Sequence, residues 1–216
     1  FDEMAANDDV LIPTRMKDIN IITTIGDGSC FFHSLLKTLD KRYLQEKSSK
    51  RRLQMVVDFR EQLANRLSWK NPKYPELTYW QSVGGGRYAE FAEFDESYSL
   101  EELSKLLKSS RYTGDEIYPL VTDMFGKRLY IIKVNKNGEI TPYTRTYLTT
   151  IIGSGEFVSI TEAPIIVIRA QYNEENHGHY ELVGKREGDQ VRTIFAHDDP
   201  FIGELDALFE KETGRR

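Results

Sequence analysis

The chain has 216 residues, of which 39% are hydrophobic and 29% charged, a composition typical of a globular protein with one sizeable core. Its net charge of −5 does not favour binding to nucleic acid, and no apolar run approaches the roughly 20 residues of a membrane-spanning helix. A single cysteine, Cys30, excludes an internal disulfide framework and a cysteine-rich zinc site. It fits a reducing compartment such as the cytoplasm. Because the chain does not begin with Met, we expect it to be a fragment of a longer protein.

The first half of the chain carries mostly helical patterns. Residues 1–18 predict an irregular lead-in, and the β-branched residues 19–25 predict a short extended segment. A glycine turn follows, and apolar residues with helical spacing then begin at Cys30. Further helices are predicted over residues 49–67, 99–108 and 113–126, the last two from capping-box starts and the final one from Gly126 as a stop. Residues 79–98 give no clear pattern.

The second half changes to a period of two, which indicates strands. These are predicted over residues 129–134, 139–147, 163–170, 179–184 and 191–195, with a polar loop over 171–178. The Asn137-Gly138 pair predicts a hairpin turn with positive φ at both central residues. A helix over 201–211 closes the chain. We expect residues 19–216 to form a single α+β domain, with one mostly antiparallel sheet flanked by helices.

The strongest functional signal is the run Gly26-Asp27-Gly28-Ser29-Cys30-Phe31-Phe32-His33-Ser34. Two glycines shape a turn, and the cysteine then opens a helix. The partial positive charge at a helix N-terminus favours the thiolate over the thiol. We therefore expect Cys30 to be a nucleophile.

A catalytic thiol needs a base, and His179 is the best candidate among the four histidines. It lies where a polar loop becomes a strand, and the period of two places Glu181 on the same face, where a carboxylate can hold the imidazole. His33 lies three residues after Cys30 on one helix, a spacing that favours packing or a supporting role. The other two histidines are predicted in a mobile loop (His177) and in a surface turn without metal-ligand spacing (His197).

Asp27 has two possible roles. As a turn carboxylate it can accept backbone N–H groups and shape the loop before Cys30, and it can also help to orient the base. Backbone N–H groups of Cys30 and of the 27–29 turn are the expected donors to an oxyanion.

Together these motifs resemble the ovarian-tumour (OTU) cysteine proteases, most of which are deubiquitinases. The run from Asp27 to Ser34 is similar to the family's nucleophile motif, and His179-Tyr180-Glu181-Leu182-Val183 is similar to its histidine motif. The resemblance covers roughly residues 18–185 and is nearest in style to OTU domains of large DNA viruses and intracellular bacteria. The family usually has Asp or Asn at the position of Glu181. The third catalytic residue is therefore open between Glu181, Asp27 and the loop residue Asn176.

The resemblance implies an OTU-like, papain-like fold and hydrolysis of the bond after the C-terminal Gly-Gly of ubiquitin. By this resemblance Cys30 is the nucleophile, His179 the general base and then acid, and Asp27 shapes the oxyanion loop. Ubiquitin, polyubiquitin chains or ubiquitinated proteins are the implied partners, with no metal or organic cofactor. The implied location is the cytoplasm, or a host cytosol for a viral or bacterial effector.

Other functions would use parts of the same site. One is an OTU-shaped module that binds ubiquitin without cleaving it, and another is a thiol protease or acyl transferase for a different substrate, such as another ubiquitin-like modifier. A phosphate site at Gly84-Gly85-Gly86-Arg87 is disfavoured, because the run lacks the P-loop pattern and no strand clearly precedes it.

Overall fold

The computed structural model describes residues 9–151, 157–172 and 178–213. Its strands are β1 (Leu11–Pro13), β2 (Ile19–Ile22), β3 (Lys70–Asn71), β4 (Tyr74–Thr78), β5 (Arg128–Val134), β6 (Ile140–Arg145), β7 (Leu148–Ile151), β8 (Phe157–Ile160), β9 (Ile165–Tyr172), β10 (Gly178–Glu187), β11 (Gln190–Arg192) and β12 (Ile194–Phe195). Its helices are α1 (Cys30–Leu39), α2 (Lys41–Gln45), α3 (Ser49–Arg66), α4 (Tyr79–Ser82), α5 (Arg87–Phe91), α6 (Leu100–Lys108), α7 (Tyr118–Phe125) and α8 (Pro200–Thr213).

The main sheet has the strand order β1-β2-β10-β9-β5-β6, with β11 beside β10 and β12 beside β9. The pairings are antiparallel except for β5 with β9, which is parallel. Two small pairs, β3 with β4 and β7 with β8, lie outside this sheet. The α+β class predicted from the sequence, a mostly antiparallel sheet flanked by helices, is confirmed.

The centre of the sheet is buried on both faces, which explains its long apolar strands. On β5, Leu129 and Ile131 face the core formed with α1, α3, α6 and α7, whereas Tyr130 and Ile132 face a second core that contains α8. The run predicted as a central strand, 163–170, is β9 and lies between β10 and β5. It is not wholly apolar, because Arg169 interrupts it.

The lead-in is more ordered than the sequence predicts. Strand β1 lies in residues predicted to be irregular, and it pairs with β2 in antiparallel register. Just before it, the Asp9 carboxylate forms ion pairs with Lys37 and Arg52, whose side chains are almost fully buried. Buried cations need a counter-charge, so this segment is fixed by charge as well as by strand pairing.

The predicted helix over residues 113–126 needs a correction at its start. The segment predicted as a helix from Thr113 begins with a 3₁₀ turn at Asp115–Ile117, and α7 starts only at Tyr118, with Pro119 in its first turn. The predicted stop at Gly126 is confirmed, with φ of 59°.

The 135–139 hairpin has a three-residue loop. Gly138 alone takes positive φ, at 77°, and its N–H donates to the Asn135 carbonyl at 3.0 Å. This arrangement is a type I turn followed by a left-handed glycine rather than the predicted two-residue turn.

The Gly84–Gly86 run takes positive φ at all three glycines. The N–H of Gly84 donates to the Asp123 carboxylate at 2.8 Å. A carboxylate in this position is unsuited to phosphate binding. Residues 79–98, which give no sequence pattern, contain α4, α5 and two 3₁₀ turns. Within the described ranges, no helix combines the length and apolarity needed to cross a membrane.

We predict that Leu205→Ala lowers the free energy of unfolding by about 2–5 kcal/mol, because Leu205 is fully buried between α8 and the sheet. Its exposed neighbour Glu204 provides the control, and Glu204→Ala should change stability by no more than about 0.5 kcal/mol. Urea denaturation measures both variants. Equal effects of the two substitutions would contradict the assignment of this second core.

Candidate active site

The turn before α1 is built around Asp27. Its Oδ1 accepts the Ser29 N–H at 2.8 Å, and its backbone carbonyl accepts the Cys30 N–H at 3.3 Å. Cys30 is thereby the first residue of α1. The sulfur lies at a helix N-terminus, where negative charge is favoured.

Strand β10 covers the sulfur of Cys30. The Tyr180 N–H donates to Sγ at 3.3 Å, and the Gly178 carbonyl lies 4.0 Å from it. His179 lies between these two residues on β10, so its backbone is held beside the sulfur. Cys30 itself is 0% exposed. The structure thus brings together the thiol and the imidazole that the sequence predicts as partners.

The electrostatics of His179 follow from these neighbours. Burial alone would lower the pKa of His179, but hydrogen bonds to Cys30 and Glu181, together with their negative charges, raise it to about 9. At neutral pH the imidazole is therefore protonated. An imidazolium beside the sulfur stabilises negative charge on it.

Glu181 lies beside the His179 ring. Its Oε1 lies 3.6 Å from Nε2 of His179, and its Oε2 accepts from Nη1 of Arg169 at 2.6 Å. Burial acts to raise the pKa of Glu181, but the hydrogen bond from His179 and the charge of Arg169 hold it below its ordinary value.

Asp27 faces a different histidine. Its Oδ2 lies 3.3 Å from Nε2 of His33, whose Nδ1 shares a hydrogen bond with the Tyr43 hydroxyl. Burial acts to raise the pKa of Asp27, but His33, the Ser29 N–H and the charge of Arg60 lower it. His33 is fully buried and supports the turn, as its spacing predicts.

Gly28 packs directly against the segment that follows α6. A Cβ atom at this position would lie 2.0 Å from the Ser110 carbonyl oxygen. The glycine is therefore required by close approach of two backbones. The same segment continues to Tyr112, whose pKa is raised by burial and by the nearby charges of Cys30 and Asp27. Tyr112 is 43% exposed, so part of its ring surface is accessible near Cys30.

Three neighbours of the site escape the sequence analysis: Arg60, Arg169 and Tyr112. Arg169 carries a usable signal, since a charge within an apolar strand predicts a buried partner, and its register partner is Glu181. Arg60 lies on a helix rich in charged residues and gives no such signal.

The remaining predicted residues lie elsewhere. Asn176 and His177 are outside the described residues. His197 precedes a turn in which Asp199 accepts from the Phe201 N–H at 2.9 Å and pairs with Arg192 at 2.7 Å. In the part of the chain that the structure describes, no cluster of three or more His, Cys, Asp or Glu side chains is arranged to hold a metal ion.

Comparison with solved structures finds OTU domains. The chain is similar to an ovarian tumor (OTU) domain in complex with ubiquitin, at 12% identity and a TM-score of 0.46, covering 89% of this chain and 83% of that one. It is also similar to the Hazara virus OTU bound to ubiquitin (16% identity, TM-score 0.39, 79% of this chain and 83% of that one). A third similar structure is an OTU deubiquitinase from Wolbachia pipientis wMel, at 16% identity and a TM-score of 0.37, covering 78% of this chain and 90% of that one. No protein-family model and no curated protein matches the chain.

We predict that the titration midpoint of His179 falls below about 9 in both Cys30→Ala and Glu181→Gln, because each substitution removes a group that raises its pKa. Asp27→Asn is the control and should leave the midpoint unchanged, since Asp27 faces His33. NMR of the ring protons measures all three. A midpoint near 6.5 in the wild type would contradict the described site.

The same shift has a consequence for stability. A histidine whose pKa rises on folding stabilises the native state fully below pH 6.5, and this contribution is lost as the pH rises through about 9. The stability difference between wild type and His179→Gln should therefore shrink over that interval.

We predict that Gly28→Ala lowers the free energy of unfolding by about 1–3 kcal/mol, because the added methyl group would displace the Ser110 carbonyl. Gly203→Ala is the matched control. Position 203 lies within α8 with open space around it, so alanine there should stabilise by about 0.5–1 kcal/mol. Thermal melts compare the two, and a neutral Gly28→Ala would contradict the close approach.

Proposed function

We propose that this chain is a cysteine-type hydrolase that cleaves the bond after the C-terminal Gly-Gly of ubiquitin. The observation that carries the proposal is the placement of Cys30 at the N-terminus of α1 against strand β10. There the Tyr180 N–H donates to Sγ at 3.3 Å, His179 immediately precedes Tyr180, and Glu181 lies 3.6 Å from Nε2 of His179. Nucleophile, base and orienting carboxylate in this order are the arrangement that acyl transfer to a thiol requires.

The reaction begins with attack of the Cys30 thiolate on the carbonyl carbon of the terminal glycine. A C–S bond forms, and the carbonyl electrons move to oxygen. When this intermediate collapses, the C–N bond breaks and protonated His179 gives its proton to the leaving lysine amine. Water then attacks the thioester while His179 takes one of its protons, and the C–S bond breaks to release the Cys30 thiolate. The carboxylic acid product loses its remaining proton to the solvent.

Glu181 is the carboxylate that we assign to His179. It is the acidic side chain that faces Nε2, and Arg169 fixes its second oxygen. A carboxylate in this place sets the ring orientation and stabilises the imidazolium. Asp27 is assigned to the turn, where it holds the Ser29 N–H and meets His33.

The substrate class comes from the resemblance of the two motifs to OTU proteases. Access to the sulfur adds a physical condition, because Cys30 has no exposed surface while His179 keeps 31% of its side chain exposed. The scissile carbonyl can reach Sγ only after a local movement. We therefore assign the described state to the protein before substrate binding.

The test is incubation of wild type and Cys30→Ala with the eight diubiquitin linkages and with other ubiquitin-like modifiers. We expect wild type to cleave at least one ubiquitin linkage, and Cys30→Ala to lose cleavage while it still binds the chain. Gel electrophoresis measures cleavage, and calorimetry measures binding.

The alternatives give other results in this test. Binding without cleavage by wild type would identify a noncatalytic ubiquitin-binding module. Cleavage of another modifier, with ubiquitin left intact, would replace the substrate and keep the mechanism.

A further inference from the structure

Arg60 is a buried charged side chain beside the turn that precedes Cys30, residues 27–29, which we call the nucleophile turn. It lies on α3 and is 2% exposed, and its guanidinium stacks on the Phe32 ring at 4.6 Å from the centroid. Burial lowers the pKa of Arg60 to about 10, against the charges of Asp27 and Cys30, which raise it. It therefore stays protonated at neutral pH, and a buried charge of this kind persists only where its donors are satisfied.

The guanidinium joins two segments that are distant in the chain. Toward the nucleophile turn, Nη1 donates to the Ser29 hydroxyl at 2.6 Å and to the Gly28 carbonyl at 3.5 Å. Toward the end of α6 and beyond it, Nε and Nη2 donate to backbone carbonyls of Leu106, Leu107 and Arg111 at 2.8–3.0 Å. Two of these carbonyls, those of Leu106 and Leu107, belong to the last turn of α6, and the Leu106 carbonyl also accepts from the Ser109 N–H at 3.2 Å.

The hydrogen bonds of Ser29 indicate that Arg60 holds the turn in place as well as packing against it. It occupies the N-cap position of α1, where a serine side chain ordinarily accepts a backbone N–H of the first helical turn. Here its side chain makes no such bond. The hydroxyl accepts from Arg60 instead, so the turn that delivers Cys30 is held from α3.

We propose that Arg60 is a positioning residue for the nucleophile: its planar fork holds the Gly28–Ser29 turn against the 106–111 segment, and so fixes the backbone of the turn and the sulfur for acyl transfer. This inference rests on the proposed thiol chemistry but not on ubiquitin as the substrate. Lysine keeps the charge but has no planar fork, so it cannot satisfy both sets of acceptors.

The test compares Arg60→Lys and Ser29→Ala with wild type in hydrolysis of a ubiquitin coumarin amide. We expect kcat to fall at least tenfold in each while KM stays within about twofold, because a misplaced oxyanion donor costs up to about 10²–10³ in rate. The double variant should be no slower than the slower single variant, because both changes remove one contact. Ser29→Ala leaves the contacts to α6 intact, so it separates positioning from simple capping of that helix.

Arg51→Lys is the matched control, since Arg51 lies on the same helix with 78% of its side chain exposed. It should leave kcat, KM and the melting temperature unchanged. A merely structural role for Arg60 predicts a lower melting temperature with an unchanged kcat at temperatures where the variant is folded. That result, or additive losses in the double variant, would overturn the proposal.

A second measurement tests the role of Arg60 without using ubiquitin as the substrate. Acylation of Cys30 by p-nitrophenyl acetate passes through an oxyanion, whereas alkylation by iodoacetamide does not, and both reagents must reach the same sulfur. We expect the ratio of acylation to alkylation rates to fall at least tenfold in Arg60→Lys and Ser29→Ala.

An unchanged ratio would overturn the role of Arg60 even if ubiquitin is cleaved. A lowered ratio in a protein that leaves ubiquitin intact would support Arg60 and refute only the substrate. Absence of any Cys30-dependent acylation in wild type would overturn both proposals.

Discussion

The contact between the first turn of α1 and strand β10 is the interaction on which the candidate site depends. Tyr180 contributes to it in two ways: its N–H donates to Cys30 Sγ, and its ring packs edge-on against Phe31 with centroids 5.4 Å apart. Its hydroxyl shares a hydrogen bond with that of Tyr118 on α7, at 2.7 Å. Because His179 immediately precedes Tyr180, any shift of the strand relative to the helix would separate imidazole and sulfur. The same contacts therefore determine both the packing of the core and the geometry of the candidate site.

Local patterns were sufficient to predict the parts of the site that depend on local structure. A glycine turn followed by helical spacing placed Cys30 at the start of a helix, and the structure begins α1 at that residue. A period of two placed His179 and Glu181 on one face of a strand, and the two side chains do meet in β10. Both inferences needed only the geometry of a single element. The pairing of Cys30 with His179 additionally needed the chemical requirement of a base for a thiol.

The rest of the site depends on contacts between elements, which periodicity does not encode. Arg60 is one of many charges on α3, and only the approach of α6 and the nucleophile turn makes it buried. The sequence predicts Gly28 only as a turn residue. The structure shows that a side chain at this position would clash with the Ser110 carbonyl. The sequence pattern does not predict strand β1, for a similar reason. Its short sequence is stabilised by pairing with β2 and by the Asp9 ion pairs rather than by its own pattern.

The enclosure of Cys30 also bears on oxidative damage. Peroxide converts the thiolate form of a cysteine to sulfenic acid, and further oxidation is irreversible. Susceptibility depends on exposure as well as on charge, and this sulfur has no exposed surface in the described state. The closed arrangement thus separates this sulfur from peroxide in the solvent, and its oxidation requires a movement that exposes it.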